Sequence, residues 1–273
     1  MYRLVLAGFF STIFGFAAVP TGHAQIIVGH RGASHDAPEN TIASFKEAWR
    51  QNADGVEGDF YITADQQIVC IHDKDTKRTA GKKLVVSSST LEELRQLEYG
   101  SWKGEQFRGE PIPTFAEVAA CIPSDKTFVI ELKAGPEIVP LLVEQIEKSK
   151  LTREQCLIIA FDSEAVAKCK ELLPDVRAHW LVGYKQDKES GQWTPSLDTV
   201  SQTLAECKAD GLGTQGQTAV VTEEFIGELK QRGMKEFHVW TINEGDDARY
   251  FQKLGAVGLT TDRPAFIRAA LEK

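Results

Sequence analysis

The five cysteines of this sequence include no CxxC pair, so the ligand spacing of a structural zinc site is missing. There is no surplus of positive charge: 31 Lys and Arg face 39 Asp and Glu, for a net −8, which argues against nucleic acid as a partner. No self-similarity at a period of about 20–50 residues and no low-complexity tract appears, so solenoids and disordered arrays are set aside. No Gly-rich phosphate fingerprint follows the first apolar run, which weakens an open, doubly wound dinucleotide-type sheet. The cysteines themselves (Cys70, Cys121, Cys156, Cys169 and Cys207) are odd in number, so one stays unpaired within a single chain. An oxidising compartment would allow a disulfide, but spacing selects no pair, and burial as small apolar residues is the simpler reading.

The N-terminus reads as a leader. Arg3 precedes a mainly apolar run, Leu4 to Val19, and Gly22-His23-Ala24 places small residues at −3 and −1 of a cleavage site before Gln25. The run is short for a spanning helix, which needs about 20 residues, and no basic cluster follows it. No cysteine follows it either, so a lipid-modified N-terminus is not indicated. Residues 1–24 are therefore expected to be a signal peptide and residues 25–273 an exported chain, periplasmic or secreted, without a stable membrane anchor. Cleavage removes Arg3 and no acidic residue, taking the net charge from −8 to −9.

What remains has 42% hydrophobic residues over the whole sequence, enough for a large core. Apolar runs near 26–30, 55–60, 127–133, 156–161, 177–182, 210–213, 236–241 and 256–260 predict eight strands. Helical spacing over 42–51, 114–121, 136–149, 163–172, 196–207, 222–232, 244–253 and 264–271 predicts a helix after each. Asn40 or Thr41 can cap the first helix. Eight such units over about 250 residues predict an eight-stranded β/α barrel of the TIM type. Residues 74–113 break the rhythm and are too long for an ordinary connection. They read as a small insertion above the barrel mouth, with Thr90 and Glu93 set as a capping box. It is expected to add little to the main core and to wall the pocket, with Tyr99, Trp102 or Phe107 as candidate contacts.

Within this frame, Gly55 to Asp73 carries the densest chemistry. Glu57 and Asp59 are two apart and project to one face of a strand. Two neighbouring carboxylates repel, and a cation between them removes the cost. Too few residues separate the second strand from the run 67–72 for a parallel crossover, so the two form an antiparallel hairpin. A turn centred on Ala64-Asp65 would put Glu57 opposite His72 and Asp59 opposite Cys70.

In a β/α barrel the active site lies at the C-terminal strand ends. Those ends carry His30-Arg31-Gly32, Glu57 and Asp59, Glu131 and Lys133, and Trp240-Thr241-Ile242-Asn243, with His72 on the returning hairpin. Three carboxylates suit calcium or magnesium, two histidines can exchange protons, and Arg31 and Lys133 suit a phosphate. Together they describe metal-assisted phosphodiester cleavage. His35, His179 and His238 fall outside this set and read as structural or solvated.

Taken in order, His30-Arg31-Gly32, Pro38-Glu39-Asn40-Thr41, Glu57-x-Asp59, His72-Asp73, Glu131-x-Lys133, Trp240-Thr241-Ile242-Asn243 and Thr261-Asp262-Arg263-Pro264 resemble the glycerophosphodiester phosphodiesterase family. The resemblance covers essentially all of residues 25–273. It implies metal-dependent hydrolysis of glycerophosphodiesters to an alcohol and glycerol 3-phosphate. It implies one divalent cation, Ca2+ or Mg2+, on Glu57, Asp59 and Glu131, with acid–base work shared by His30 and His72. Arg31 and Lys133 are the implied phosphate contacts. Trp240 could be barrel core, but at a strand end it is expected to pack on the glycerol side, and Asn40 is a substrate contact or, at least equally, orients the first loop and caps its helix. Asp262-Arg263-Pro264 is expected to close the last strand and start the final helix. Two departures stand out. Gly58 replaces an apolar branched residue between the carboxylates, and Ala64-Asp65-Gln66-Gln67 replaces an Asp-Gly turn. Two other functions share these residues: a phospholipase D-like barrel acting on lysolipids, which would need an apolar rim such as Trp102 and Phe107, and a non-catalytic phosphodiester-binding protein.

Overall fold

The computed structural model describes residues 25–272; the leader read over residues 1–24 lies outside the described residues. Its strands are β1 (Ile26–Gly29), β2 (Gly55–Ile62), β3 (Ile68–Cys70), β4 (Thr127–Leu132), β5 (Cys156–Ala160), β6 (Arg177–Val182), β7 (Lys185–Gln186), β8 (Trp193–Thr194), β9 (Gly211–Gln215), β10 (Glu236–Trp240) and β11 (Gly258–Thr261). Its α-helices are α1 (Ile42–Arg50), α2 (Lys77–Ala80), α3 (Leu91–Leu94), α4 (Phe115–Ala120), α5 (Ile138–Lys148), α6 (Ser163–Leu172), α7 (Leu197–Glu206), α8 (Glu223–Gln231), α9 (Gly245–Lys253) and α10 (Pro264–Leu271).

Strands β1, β2, β4, β5, β6, β9, β10 and β11 pair in parallel in that order, and β1 pairs with both β2 and β11. The sheet therefore closes, which is the predicted eight-stranded β/α barrel. Side chains alternate across it as strand geometry requires. Inside, Val28, Val129, Leu157, Ile159 and Leu181 form one apolar cluster. Outside, two larger clusters lie between strands and helices, one of them holding Phe60, Phe115 and Phe128 with ring centroids 5.3–5.8 Å apart. Thr41 caps α1, and Thr90 and Glu93 form the expected capping box of α3. The small β7–β8 hairpin has no strong sequence signal and was not expected. All five cysteines are free thiols.

The hairpin register differs from expectation by one residue. Phe60 faces Cys70 and Ile62 faces Ile68, and the Ile71 N–H donates to Asp59 O at 2.9 Å. Thus Asp59 lies opposite Ile71, not Cys70, and His72 lies beyond Gly58, not Glu57. The cause is the turn. Thr63 N–H donates to Gln67 O at 2.9 Å, leaving a three-residue loop, Ala64-Asp65-Gln66. Gln66 has φ +59°, the left-handed position that this loop type normally gives to glycine. The left-handed backbone costs a side-chain-bearing residue about 1–2 kcal/mol. Gln66→Gly is therefore expected to stabilise the protein by about 0.5–1 kcal/mol, after glycine's own entropy cost. Thermal denaturation should show Tm higher by about 1–4 °C; a lower Tm would refute the assignment of strain to this position.

The insertion has a core of its own. Val86, Leu94, Tyr99 and Ile112 pack with Val69 and Ile71 of the hairpin, separately from the barrel clusters. Tyr99 is buried there and its hydroxyl donates to Leu94 O at 3.1 Å, so it does not face the pocket as the sequence suggested. Trp102 is exposed. The insertion leans over the loop after β1, where Lys103 Nζ donates to Ser34 O at 2.7 Å.

His179 and His238 are buried inside the barrel, with their Nδ1 atoms 2.9 Å apart, while His35 is solvated beside Asp36. Only one proton fits between the two Nδ1 atoms. His179 Nε2 lies 2.9 Å from Glu236 Oε1. Gly213 on the intervening strand leaves the space, since a Cβ there would stand 2.5 Å from His238 Cε1. Burial, then His179 and Arg177, push His238 well below the usual histidine range. The unfolded chain takes up that proton near pH about 6.5, whereas the folded one stays neutral. Stability from this residue is therefore complete above that pH and falls as pH drops below it, by up to about 1.4 kcal/mol per pH unit. Unfolding of wild type and His238→Gln between pH 7 and 5 should show a shallower loss for the variant; parallel curves would contradict this account.

Candidate active site

Three carboxylates meet at the upper ends of β2 and β4. Asp59 and Glu131 are register partners, and Glu57 is one inward-facing position below Asp59. Glu57, Asp59 and Glu131 are all buried, and one oxygen of each lies within 4.8 Å of the others. At that distance each pair of charges repels by roughly 3–4 kcal/mol at an effective dielectric of about 20. The consequences are visible in their acidities. Burial, then Asp59 and Glu131, push Glu57 well above the usual carboxylate range. Burial and Asp59 push Glu131 up to about 7. Burial also acts against Asp59, but Lys133 and Arg31 outweigh it and hold that carboxyl low. Lys133 Nζ stands 2.7 Å from Glu131 and 3.4 Å from Asp59, and Arg31 Nε stands 3.3 Å from Asp59.

Glu57 Oε1 and Asp59 Oδ1 are buried without a hydrogen-bond donor. Unpaired buried oxygens on adjacent carboxylates are costly unless something positive sits among them. An oxygen-only donor set of this charge fits a hard divalent cation. The trio expected to hold a metal is thus brought together by the fold.

The surrounding loops hold this trio in place. Arg31 takes φ +55°, which turns its N–H onto Glu57 Oε2 at 2.8 Å. Asn40, also left-handed at φ +58°, donates from Nδ2 to Asp59 Oδ2 at 2.7 Å and accepts the Asp59 N–H at 3.1 Å. With 3% of its surface exposed and both amide ends engaged, Asn40 holds Asp59 and does not present itself to a substrate. Thr41, not Asn40, caps α1. Gly58 does not leave the strand loose. A Cβ there would meet Cys70 Sγ at 3.1 Å and Phe45 Cζ at 3.2 Å, so those side chains fill the space a branched residue would need. Cys70 Sγ in turn donates to Asn40 Oδ1 at 3.1 Å.

Each histidine of the set is backed by a carboxylate. His30 Nδ1 is 2.6 Å from Asp262 Oδ1, and that carboxylate also accepts from Ser34 Oγ and from Asn243 Nδ2. Burial opposes the charge of Asp262, but these hydrogen bonds hold it well below the usual range. His72 Nδ1 is 2.8 Å from Asp73 Oδ1, and burial pulls the imidazole of His72 below its usual value. In both pairs the carboxylate fixes the proton on Nδ1 and leaves Nε2 free. Asn243 stood among the strand-end residues of the sequence, but Asp262, expected only to close its strand and start the final helix, was not read as a neighbour of His30. The signal was there: β1 and β11 close the barrel with Gly29 opposite Thr261, so His30 and Asp262 emerge side by side.

A cavity of about 150 Å³ is lined by His30, Arg31, Glu57, His72, Glu131 and Lys133, together with Phe161, Trp240 and Thr241. Phe161 and Trp240 meet edge to face at 5.4 Å and make its apolar corner. Phe161 was not singled out in the sequence; it follows β5 immediately, and the polar residue after it, Asp162, caps α6. Every site residue expected from the sequence except Asn40 lines this cavity or, like Asp59, supports it from beneath.

The chain has known relatives. Residues 30–266 match the sequence model of the glycerophosphoryl diester phosphodiesterase family. The chain is 32% identical over 244 residues to a glycerophosphodiester phosphodiesterase of Caldanaerobacter subterraneus subsp. tengcongensis, covering 88% of this chain and 94% of that one. It is 27% identical over 255 residues to a glycerophosphodiester phosphodiesterase of Bacillus subtilis, covering 88% and 84%. Among solved structures it is similar to an Oleispira antarctica phosphodiesterase in complex with the product sn-glycerol-3-phosphate, with a TM-score of 0.79, 26% identity, and coverage of 92% and 97%.

Proposed function

We propose, on the premise that this chain belongs to the glycerophosphoryl diester phosphodiesterase family, that its glycerophosphodiester hydrolysis runs on one divalent cation and two histidines. The enzyme activity follows from the family; the assignment of parts rests on the site. The observation that carries it is the carboxylate trio, with its two donor-free oxygens, set between two histidines that each have a carboxylate behind them.

Glu57, Asp59 and Glu131 would hold the cation, Ca2+ or Mg2+. When bound, it supplies positive charge to the phosphoryl oxygens as negative charge develops there. The other roles belong to this chain's own side chains. Arg31 and Lys133 hold the phosphate against the trio. One imidazole takes a proton from the attacking water at its free Nε2, and the other, starting as the imidazolium, gives its Nε2 proton to the departing alcohol oxygen. The P–O bond to water forms as the P–O bond to the alcohol breaks, leaving glycerol 3-phosphate. Asp262 and Asp73 hold the Nδ1 proton of each ring, so that the proton that moves is the one at Nε2. Trp240 and Phe161 offer an apolar wall to the glycerol carbons. The leader over residues 1–24 supports an exported enzyme, periplasmic or secreted. The N-terminal mass of protein recovered from the producing cells tests that point: a start near Gln25 supports export, and an intact Met1 refutes it.

The test of the reaction is a panel of glycerophosphodiesters and lysophospholipids, with and without chelator. Release of glycerol 3-phosphate that stops on chelation and returns with a divalent cation is expected. Cleavage of lysolipids alone would replace this reading with the phospholipase D-like one.

A further inference from the structure

A single guanidinium joins the two loops that carry His72 and Arg31. Arg78 lies on α2, the first turn of the insertion. Its Nε donates to Asp73 Oδ2 at 2.7 Å, while Nη1 and Nη2 donate to Glu39 Oε2 and Oε1, both at 2.7 Å. Asp73 has its other oxygen engaged as well, and Glu39 Oε1 is shared with a second donor. Asp73 Oδ1 is 2.8 Å from His72 Nδ1, and Glu39 Oε1 accepts from Arg31 Nη1 at 2.9 Å. The result is one unbroken chain, His72–Asp73–Arg78–Glu39–Arg31, running from the second histidine to the phosphate-facing arginine.

The turn that bears Arg78 is anchored independently. Thr76 Oγ1 donates to Lys82 O at 2.6 Å and accepts the Leu84 N–H at 3.0 Å. Asp75 and Val85 form a bridge across the same turn. A surface ion pair taken alone is worth about 0–1 kcal/mol, and the Arg78 side chain is 43% exposed. Its worth as a plain staple is therefore small. Its geometry is another matter: three donors of one rigid, planar group are spent on two carboxylates that each hold a pocket side chain.

We propose that Arg78 is a positioning residue for the hydrolysis, fixing the His72 imidazole through Asp73 and the Arg31 guanidinium through Glu39. This rests on the reading that His72 exchanges protons and Arg31 holds phosphate. Without Arg78 the Asp73 carboxylate, one-third exposed, can turn to water, and the His72 ring loses the partner that keeps its proton on Nδ1. The insertion is then more than a wall of the pocket, because it sets the direction of groups that belong to the barrel.

The test compares wild type, Arg78→Gln, Arg78→Lys, His72→Asn and the double variant Arg78→Gln/His72→Asn, assayed with divalent cation on a chromogenic glycerophosphodiester. Arg78→Gln should lower kcat by about 10–100-fold, the usual cost of removing a residue that orients a working group, and raise KM, with a circular dichroism spectrum like wild type. Arg78→Lys should recover only part, since an ammonium cannot grip both carboxylates in one plane. The double variant should be little slower in kcat than His72→Asn, because both changes act through one ring. Nitrogen-15 spectra should show the Nδ1–H tautomer of His72 in wild type and a mixture in Arg78→Gln, which a merely stapling residue would not alter. Unchanged kcat with an unchanged tautomer in Arg78→Gln overturns the proposal. A near-normal His72→Asn overturns instead the histidine reading beneath it. Should Arg78→Gln not fold, Asp73→Asn interrupts the same chain: slowed turnover with a mixed tautomer supports the proposal, and normal turnover overturns it.

Discussion

Glu57→Gln is expected to lower turnover by about 10³-fold, because a divalent cation's charge stabilisation is worth several kcal/mol and each 1.4 kcal/mol is about tenfold in rate. The change keeps side-chain volume, and an amide oxygen can still accept the Arg31 N–H now donated to Oε2. It removes the carboxylate whose ionisation burial and the neighbouring Asp59 and Glu131 oppose most. The variant should therefore fold, and its cation-free form should be at least as stable as wild type. Wild type should melt at a higher temperature when divalent cation is added, since the ion binds only the assembled trio; Glu57→Gln should lose most of that rise. Exhaustive chelation should abolish wild-type activity, and a divalent cation should restore it. Full activity after exhaustive chelation would falsify the metal reading, and a Glu57→Gln variant with wild-type turnover would remove this residue from it.

His30→Ala should cost about 10²–10⁴-fold in kcat, the range for an acid–base group. Asp262→Asn tests the same ring from behind. The amide is isosteric, but it can present an N–H where the carboxylate accepted one from His30 Nδ1. The imidazole would then carry its proton on Nε2, where it could neither accept one as a base nor, lacking a second proton on Nδ1, act as an imidazolium acid. Removing a carboxylate that fixes a catalytic tautomer costs at least about 10²-fold. The amide oxygen can still accept from Asn243 Nδ2, now bonded to Oδ2, but Ser34 Oγ, which donates to Oδ1 at 2.8 Å, loses its acceptor, so a small loss of stability should accompany the kinetic one. His35→Ala, on an exposed imidazole, is the control and should leave kcat unchanged. If Asp262→Asn retains wild-type kcat, Asp262 serves only to finish β11 and begin α10.

The sequence disclosed those parts of the site that depend on local periodicity. Glu57 and Asp59 share a face because strands repeat every two residues, and Glu131 joins them because β4 is the parallel neighbour of β2. The barrel itself was legible from eight strand–helix units. Features that depend on one residue of slack, or on long-range closure, were not. The hairpin register slipped because Gln66 gives no compositional sign of a left-handed bulge. Asp262 looked like a strand terminator because its partner is 232 residues away and they meet only when the cylinder closes. Asn40 looked available because its type suits both a cap and a ligand; only burial against Asp59 separates the two. Arg78 had no signal at all, being one cation among several in a segment without regular periodicity.

The shortest strand of the sheet has a consequence for how the molecule comes apart. β3 is shared between two cores: Ile68 and Cys70 face the barrel cluster, whereas Val69 and Ile71 lie under the insertion. The insertion's cluster is small and separate from the barrel clusters, and the barrel closes without it. Such a unit can detach in a sub-global opening whose free energy is lower than that of the whole. Amide hydrogens of residues 86–107 should accordingly exchange before those of β4, β5 and β6. Excising the segment would bare Val69 and Ile71 to water, so a shortened chain would keep its barrel but gain a sticky edge. On warming, the enzyme should fall silent first and melt later, because the carboxylate partner of His72 is held by the part that lets go.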